Sequence, residues 1–469
     1  MSNESKSMAV PEENKMGVMP VGRLLFSMSL PMMLSMLVQA LYNIVDSIFV
    51  AKLSEDALSA VSLAFPLQTL IFAVGGGTCV GVNALLSRAL GEKDFKKAND
   101  VAMNGAFLTV LSYVVFLILG LTVVKPFYVG QLNGTSSPIY GMGVDYLSTV
   151  MIFSIGVFCQ MYFERLLTST GKTVYTMLSQ LTGAVINIIL DPILIFGLLG
   201  APAMGVTGAA VATVIGQCGA AILSAVFNVK FNHEVDLKIK GFRPSAKIIG
   251  PIYAIGIPSI IMQSIGSVMT YCMNRILIGF SSTATAVFGV YFKLQSFFFM
   301  PLFGLNNGIT PIIAYNYGAQ KKHRMIKTIK MSLVVSFCLM FIGFLGFELI
   351  PDKLLGLFAA SPAMLTIGVP ALRIIGIHFL IAWFCIIVGT VFQSLGKAVY
   401  SMVVSVMRQL VVLIPAAYLL AHFGGLHATW WSFPIAESMS LAVSTIFLLR
   451  IYKKIIKPLP GPDPRGSSA

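Results

Sequence analysis

The stretch Ala184-Val-Ile-Asn-Ile-Ile-Leu-Asp-Pro-Ile-Leu-Ile-Phe-Gly197 is apolar at nearly every position but carries a carboxylate, Asp191, near its middle. A run of this composition predicts a helix that crosses a lipid bilayer. An acid at the centre of such a helix costs roughly 2.5 to 3.5 kcal/mol on insertion scales, so acids found there usually serve an ion or proton pathway. The alternative is a structural acid that pairs with a neighbouring helix.

The rest of the chain has the same membrane character. Of its 469 residues, 57% are hydrophobic and 11% are charged, and the mean hydropathy is +0.86, whereas about 25% of a soluble domain is charged. Mainly apolar stretches of about 20 residues predict transmembrane helices, here at 24–51, 60–86, 102–124, 141–165, 173–198, 205–228, 248–279, 284–312, 329–350, 366–391, 398–421 and 428–452. These spans are too long for barrel strands. We therefore expect an all-α integral membrane protein with twelve transmembrane helices.

Lysine and arginine are distributed unevenly between the predicted loops. If both termini are cytoplasmic, only Lys52, Lys125 and Lys353 fall in the outer loops. Because inner loops carry the excess of basic residues, this arrangement predicts that both termini are cytoplasmic. The net charge of +14 then reflects topology and contact with anionic membrane lipids, and we expect no nucleic-acid partner.

The two halves of the chain repeat one another. Each half holds six predicted spans, so the repeats share one orientation and are related by an axis along the membrane normal. We expect an N-lobe at 24–229, a cytoplasmic linker at 230–247, a C-lobe at 248–453, and cytoplasmic tails at 1–23 and 454–469. The matching positions share an offset of 227 residues: Pro31, Leu67, Gln68, Gly77 and Gly91 correspond to Pro258, Leu294, Gln295, Gly304 and Gly318.

The lobes differ in their intramembrane charges. The repeat aligns Asp46 with Met273 at the offset of 227 and, in its later part, Asp191 with Ala416 at an offset of 225, so only the N-lobe keeps these acids. We expect the arginines of the C-lobe spans to lie near helix ends and extend to the surface, and His378 to be a hydrogen-bonded packing residue. The ionisable residues of the C-lobe spans are Arg275, Lys293, Arg373, His378, Arg408 and Glu437.

The N-lobe acids have polar neighbours at helical spacing. Asn187 precedes Asp191 by four residues, so both side chains share a helix face. Pro192 cannot donate to the carbonyl of Ile188, and this freed carbonyl would join the Asn187 and Asp191 oxygens in a cluster suited to Na⁺ or a shared proton. Pro31 and Pro192 are expected hinge positions.

Further polar side chains accompany these acids. Gln160 lies one turn before Glu164, although the adjacent Arg165 leaves open that Glu164 is a surface acid with a basic partner. The predicted substrate-cavity residues are Tyr42, Asn43, Gln68, Gln160, Lys293 and Gln295.

The motifs Leu41-Tyr-Asn-Ile-Val-Asp-Ser-Ile-Phe-Val50, Asn187-Ile-Ile-Leu-Asp-Pro-Ile-Leu-Ile-Phe-Gly197 and Gly208-Ala-Ala-Val-Ala-Thr213 together resemble the multidrug and toxic compound extrusion (MATE) transporters. The resemblance covers nearly the whole chain and is closest to the bacterial branch that includes MepA and DinF. It implies two pseudo-symmetric six-helix bundles in a V shape. It also implies H⁺- or Na⁺-driven export of amphipathic, often cationic compounds by alternating access.

Carried over position by position, the resemblance makes Asp46, Asn187, Asp191 and Thr213 the cation-coupling site, which would be a metal site only if the ion is Na⁺. Glu164 matches an acid of the same bacterial branch. We further expect a monomeric, multi-pass protein of the bacterial cytoplasmic membrane that is not an enzyme and needs no cofactor.

Other function classes are less consistent with the residues. A lipid-linked precursor flippase of the same superfamily would share the paired bundles, and Lys293 with the other basic residues of the C-lobe spans would suit its phosphate headgroup. An intramembrane aspartyl protease would need a Gly-x-Gly-Asp pattern that neither aspartate has. A nucleotide-driven pump would need glycine where Leu166 precedes Gly171-Lys-Thr173. Nothing in the sequence separates H⁺ from Na⁺ as the coupling ion.

Overall fold

The computed structural model describes residues 13–132, 134–237, 241–358 and 360–460. Within these residues, ten helices are long and apolar enough to cross a membrane, and two pairs of bent helices bring the number to twelve if each pair is one span. This architecture agrees with the predicted all-α membrane fold. The predicted tails at 1–23 and 454–469 and the linker at 230–247 lie partly outside the described residues.

The N-lobe contains the first six spans. In chain order its helices are α1 (Lys15–Val18), α2 (Val21–Ala51), α3 (Glu55–Gly91), α4 (Phe95–Thr122), α5 (Val124–Leu132), α6 (Pro138–Ile152), α7 (Ile155–Ser169), α8 (Thr173–Phe196) and α9 (Val206–Phe231). Helices α1 and α5 are short connections, and α6 and α7 form one span bent by 42°.

The C-lobe repeats this order. Its helices are α10 (Ala246–Ile278), α11 (Ser282–Gly318), α12 (Lys322–Leu349), α13 (Pro351–Gly356), α14 (Pro362–Gly376), α15 (Phe379–Ser394), α16 (Ala398–Val406), α17 (Ile414–Thr429) and α18 (Ser432–Ile451). Helices α14 and α15 form the second bent span, with an angle of 49°. A π-helical turn, Met407–Leu413, connects α16 to α17.

The repeat extends to the helix caps. The hydroxyl of Ser54 accepts a hydrogen bond from the N–H of Ala57 at 3.0 Å, and the hydroxyl of Ser281 accepts one from Ala284 at the same distance. Each serine thereby satisfies a backbone donor that the first turn of its helix leaves free. Because the two serines are related by the sequence repeat, α3 and α11 begin in the same way.

The lobes pack closely at what we name the basic end of the molecule, where the lysine-rich loops after α3 and α11 lie. Here Gly81 of α3 packs against the carbonyl of Ile252 on α10. Its repeat counterpart Gly308, on α11, packs against Ser29 of α2, whose Cα lies 2.7 Å from where a Cβ would stand. Glycine allows backbones to approach this closely.

These contacts form a continuous glycine seam between the lobes. Gly91 contacts the carbonyl of Tyr315, and Gly318 contacts the carbonyl of Arg88. The seam thus follows the pseudo-symmetry of the two lobes and closes the basic end. Its members are Gly77, Gly81, Gly91, Gly304, Gly308 and Gly318.

The N-terminal segment 13–19 crosses the same end of the molecule. The Glu13 carboxylate pairs with the ammonium group of Lys321 in the C-lobe. The side-chain amide of Asn14 donates to the carbonyl of Thr170 in the N-lobe at 3.0 Å. The segment therefore connects both lobes in the conformation described.

We expect Gly308→Val to separate the lobes at the basic end, because the added side chain would overlap the Ser29 backbone. Spin labels on cysteines at the exposed positions Lys96 and His323, in an otherwise cysteine-free background, would report a longer interlobe distance by double electron–electron resonance. Gly289→Val on the same helix is the matched control, since no atom lies within 4 Å of its Cβ position. An unchanged distance in Gly308→Val would contradict a closing role for the seam.

Candidate functional site

Two carboxyl groups meet where α2 packs against α8. Asp191 is fully buried, and the Asp46 carboxyl lies within hydrogen-bonding reach of it. Neither aspartate forms an ion pair with a basic residue in the described part of the chain. Because two carboxylates in contact repel one another, a shared proton or a bound cation must accompany the pair.

Asn187 and Thr213 complete this cluster. The Asn187 amide satisfies its neighbours best when its nitrogen donates to Asp191 Oδ2 at 3.2 Å and its oxygen accepts from the hydroxyl and the N–H of Thr213, both at 3.2 Å. The structure therefore brings together all four residues that the sequence grouped as a cation site: Asp46, Asn187, Asp191 and Thr213. Their role in cation coupling stays a prediction.

The orientation of the Asn187 amide bears on the chemistry of the cluster. Hydrogen bonding assigns its N–H to Asp191 and its oxygen to Thr213, whose N–H is a donor. Hard metal cations take oxygen ligands, so Na⁺ that used the Asn187 oxygen as a ligand would require the opposite orientation of the amide. A proton held by the carboxyl pair requires no such rearrangement.

The proline at residue 31 has a defined structural partner. Its missing N–H leaves the carbonyl of Ser27 without a helical hydrogen bond, and the hydroxyl of Thr173 donates to that carbonyl at 3.2 Å. Thr173 is the first residue of α8, the helix that carries Asp191. The weak point of α2 is thus connected to the start of α8. Pro192 lies within α8, which continues through it, and both proline hinges stay predictions.

Glu164 lies in a second polar cluster of the N-lobe. Its carboxylate accepts hydrogen bonds from Gln160 at 2.9 Å, from Gln180 at 2.6 Å and from Ser179 at 3.4 Å. Arg165 instead donates to Asn307 of the C-lobe at 2.9 Å. The surface ion pair between Glu164 and Arg165, left open by the sequence, is not formed. Gln180 was missed, although it lies two turns before Asn187 on α8.

Glu164 and the Asn187 cluster border one cavity. This N-lobe pocket, of about 110 Å³, is lined by residues of α2, α3, α7, α8 and α9 that include Tyr42, Gln160, Glu164, Asn187 and Thr213. A larger cavity of about 610 Å³ lies between the lobes and shares Met36, Phe72, Met161 and Arg165 with the N-lobe pocket. The two spaces are therefore adjacent.

The other predicted substrate-cavity residues lie elsewhere. Asn43 is exposed, because one residue turns a helix by about 100° and Tyr42 already faces the pocket. Gln68 donates to the hydroxyl of Tyr146 at 3.0 Å. Lys293 is exposed, with its ammonium group 5.9 Å from the ring centre of Phe358. Gln295 lines a separate pocket within the C-lobe, of about 250 Å³.

The C-lobe pocket corrects one expectation about its charged residues. Arg408 does not extend to the surface from a helix end. It lies in the π-helical turn within the span Ala398–Thr429 and donates to the Glu437 carboxylate. His378 is buried, and its Nδ1 contacts the carbonyl of Ile375 at 2.5 Å, as expected for a hydrogen-bonded packing residue.

Similar sequences exist along the whole chain. The MatE family model matches residues 31–193 and 258–419, once in each lobe. The chain is 28% identical over 440 residues to the multidrug export protein MepA of Staphylococcus aureus (strain bovine RF122 / ET3-1), covering 92% of this chain and 94% of MepA. It is 26% identical over 429 residues to MepA of Staphylococcus saprophyticus, covering 90% and 92% of the two chains.

Solved structures share the fold. A multidrug resistance MATE family transporter in an outward-facing conformation superposes with a TM-score of 0.89 at 23% identity, covering 96% of this chain and 100% of that one. A MOP superfamily transporter from Pyrococcus furiosus gives 0.87 at 23% identity, with 96% and 99% covered. Because the family model matches most of the chain, the chain belongs to the MATE family of bacterial multi-pass membrane proteins and is a multidrug efflux transporter, not an enzyme.

Proposed function

We propose that the chain is a proton-driven antiporter that exports amphipathic, often cationic compounds by alternating access. The observation that supports it most is the contact of the Asp46 and Asp191 carboxyls, which have no basic partner in the part of the chain that the structure describes. Acids buried in a membrane protein are costly and commonly take part in proton relays. A carboxyl pair with no basic partner among the described residues can hold one shared proton, which makes H⁺ the proposed coupling ion.

Glu164 is proposed to couple the proton to the substrate. Its carboxylate borders the N-lobe pocket and, when ionised, offers a negative charge to a cationic compound. Protonation removes that charge, so proton and substrate binding oppose one another. Such reciprocal linkage is what exchange requires.

The conformational step is proposed to centre on α2. Proton uptake by the aspartate pair would change the contact between α2 and α8, and the turn at Pro31 has already lost one backbone hydrogen bond. Bending there would move the segment of α2 that the glycine seam holds against the C-lobe. The lobes would then re-orient and the substrate pocket would change its accessible side.

The available driving force limits the stoichiometry. One proton entering down about 100 mV releases roughly 2.3 kcal/mol, and one pH unit adds about 1.4 kcal/mol. If one monovalent cation leaves per proton, the voltage contributions cancel and the pH difference supports about tenfold accumulation. Two aspartates and Glu164 give room for a second proton, which would restore the voltage contribution.

The proposed setting is the bacterial cytoplasmic membrane, with both termini cytoplasmic. The distribution of lysine and arginine supports this orientation. The basic end then faces the cytoplasm, and the structure is closed on that side by the glycine seam. We propose that the protein works as a monomer in contact with membrane lipids, without a cofactor and without a nucleic-acid partner.

Two alternatives use the same fold. In a Na⁺-driven cycle, Asp46, Asn187, Asp191 and Thr213 would coordinate the ion after the Asn187 amide turned. In a lipid-linked precursor flippase, basic residues would hold a phosphate headgroup within the cavity. Lys293, one of the residues that prompted this alternative, lies exposed beside Phe358 and gives it no support, whereas Arg165 and Arg408 line the cavity between the lobes.

We expect Asp191→Asn to abolish proton-driven export, because the carboxyl pair can no longer exchange its proton. Purified protein in liposomes would be given a pH gradient, and transport of a fluorescent cationic dye would be recorded. The exposed Asp145 supplies the matched control Asp145→Asn, which should transport normally. Full gradient-driven transport by Asp191→Asn would disprove the role of the pair.

Ion replacement distinguishes H⁺ from Na⁺ as the coupling ion. At fixed pH gradient, substituting choline for Na⁺ should leave the initial transport rate unchanged, because a proton shared by the Asp46 and Asp191 carboxyls needs no Na⁺. The same liposomes with a Na⁺ gradient and no pH gradient should show no export. The reverse pattern would select the Na⁺ cycle.

We expect Glu164→Gln to weaken binding of a cationic dye about tenfold at neutral pH, because the N-lobe pocket loses a negative charge. The remaining affinity should no longer fall as the pH is lowered, since proton and dye cease to compete. Fluorescence titration of the purified protein would measure both effects. A wild-type-like decline in affinity with falling pH would show that Glu164 does not couple the two.

A further inference from the structure

The C-lobe pocket contains an ion pair that proton coupling in the N-lobe does not use. The Glu437 side chain is 5% exposed and the Arg408 side chain 25% exposed. Removing two charges from water costs several kcal/mol per ion, and a buried pair seldom repays this cost in stability. The pair therefore needs an explanation other than holding α18 to its neighbour.

The geometry of this ion pair leaves most of the guanidinium group unused. A single nitrogen, Nη1, donates to both Glu437 oxygens, at 3.4 and 3.3 Å. An optimised arginine–carboxylate pair is bidentate through two nitrogens, at about 2.7 to 2.9 Å. Among the described residues, the structure shows no acceptor for Nε or Nη2 of Arg408. The arginine thus keeps the capacity to bind a second anion.

The backbone places Arg408 at a boundary between two spaces. It lies in the π-helical turn Met407–Leu413, and such turns occur frequently at functional sites. Arg408, Gln409 and Phe303 line both the C-lobe pocket and the cavity between the lobes. A molecule that extends from one space into the other would pass the guanidinium group.

The walls of the pocket are aromatic. The rings of Phe299 and His378 stack with centres 6.0 Å apart, and the ring of Phe433 lies 6.3 Å from that of His378. With a volume of about 250 Å³, the pocket suits a small ring system. Aromatic walls bind such a ring through its faces and edges.

We propose that the C-lobe pocket binds the carboxylate-bearing aromatic end of an amphipathic substrate. Arg408 is the anion anchor, and Glu437 is the internal counter-ion that the substrate carboxylate displaces. The N-lobe pocket contains the Glu164 carboxylate, which suits cations instead; its own arginine, Arg165, donates to Asn307 of the C-lobe. The two lobes would thereby accept opposite charges, which extends the substrate range of the proposed exporter to aromatic acids.

A phosphate headgroup fits this pocket less well. Phosphate carries more charge than one partly paired arginine offsets, and the nearby basic residue Lys293 lies outside the pocket, above the ring of Phe358. The planar fork of arginine matches a carboxylate through two parallel hydrogen bonds. Transport of an aromatic acid rests on the proposed function. Its binding to the C-lobe pocket does not, since binding at equilibrium needs no ion gradient.

The test compares a small fluorescent aromatic carboxylic acid with its primary amide, which has nearly the same shape but no charge. Fluorescence anisotropy with the purified full-length protein in detergent would give both dissociation constants. We expect the wild type to prefer the acid about tenfold, as a charge-assisted pair with Arg408 requires. Equal affinity for acid and amide in the wild type would overturn the proposal.

Two substitutions in the pair should act in opposite directions. Arg408→Gln should remove the preference for the acid and leave amide binding unchanged, whereas Glu437→Gln should tighten acid binding severalfold because the competing carboxylate is gone. If the pair were only structural, both changes would weaken both ligands. Weaker acid binding in Glu437→Gln would therefore overturn the proposal.

Controls separate this site from general charge effects and from lipid. Arg275 is exposed on α10, so Arg275→Gln should keep the full preference for the acid. A water-soluble short-chain phospholipid should compete poorly with the acid. Displacement of the acid by phospholipid in the wild type but not in Arg408→Gln would identify a lipid headgroup as the ligand and contradict an aromatic acid site. Loss of gradient-driven export with unchanged binding of the acid would contradict only the proposed proton-coupled function and not the C-lobe site.

Discussion

The contact between the Asp46 and Asp191 carboxyls is the constraint on which the N-lobe depends. It joins α2 to α8 within the membrane, where water is scarce and no basic side chain of the described residues forms an ion pair with either acid. The surrounding residues are arranged around this requirement: Asn187 donates to Asp191, and Thr213 holds the Asn187 amide in place. The two carboxyls can stay in contact only if they share a proton or bind a cation. The protonation of the pair and the packing of α2 against α8 are therefore linked.

The scaffold is symmetric while its chemistry is not. Serine caps, glycines and bent spans recur in both lobes at nearly constant offset, because they determine backbone geometry and both lobes need the same geometry. Charged side chains are free of that requirement. The N-lobe has Asp191 and Glu164 where the C-lobe has the ion pair of Arg408 and Glu437. One ancestral architecture thus supports two electrostatic environments around a shared cavity.

Much of the fold could be predicted from the sequence, because lipid forces each crossing segment to satisfy its own backbone and to be apolar over about 20 residues. The clustering of Asn187 with Asp191 followed from their four-residue spacing. The bends near Ser154 and His378 could not be predicted, since the flanking glycines Gly156 and Gly376 are of a type that is frequent in transmembrane helices and does not mark a bend by itself. Asn43 and Lys293 were predicted to line the substrate cavity but are exposed, because helical periodicity alone does not determine which neighbour each helix face contacts.

The ion pair between Arg408 and Glu437 in the C-lobe could not be predicted from the sequence either. Arg408 and Glu437 lie on separate helices. The π-helical turn Met407–Leu413 sets the position of Arg408 relative to α18, and no sequence pattern that we used predicts this turn. An arginine in an apolar span suggests extension to the surface unless a partner is visible. Tertiary packing supplied that partner, and the expectation for Arg408 therefore failed.

The glycine seam has a consequence for how the transporter changes state. Backbone surfaces that meet without intervening side chains have no flexible atoms that can stretch to follow a small displacement, and dispersion attraction falls steeply once a gap of less than one ångström opens. A partly separated seam would lose its contacts without gaining water. The basic end should therefore be either sealed or open, and leakage of ions through half-closed forms would be suppressed by the packing itself.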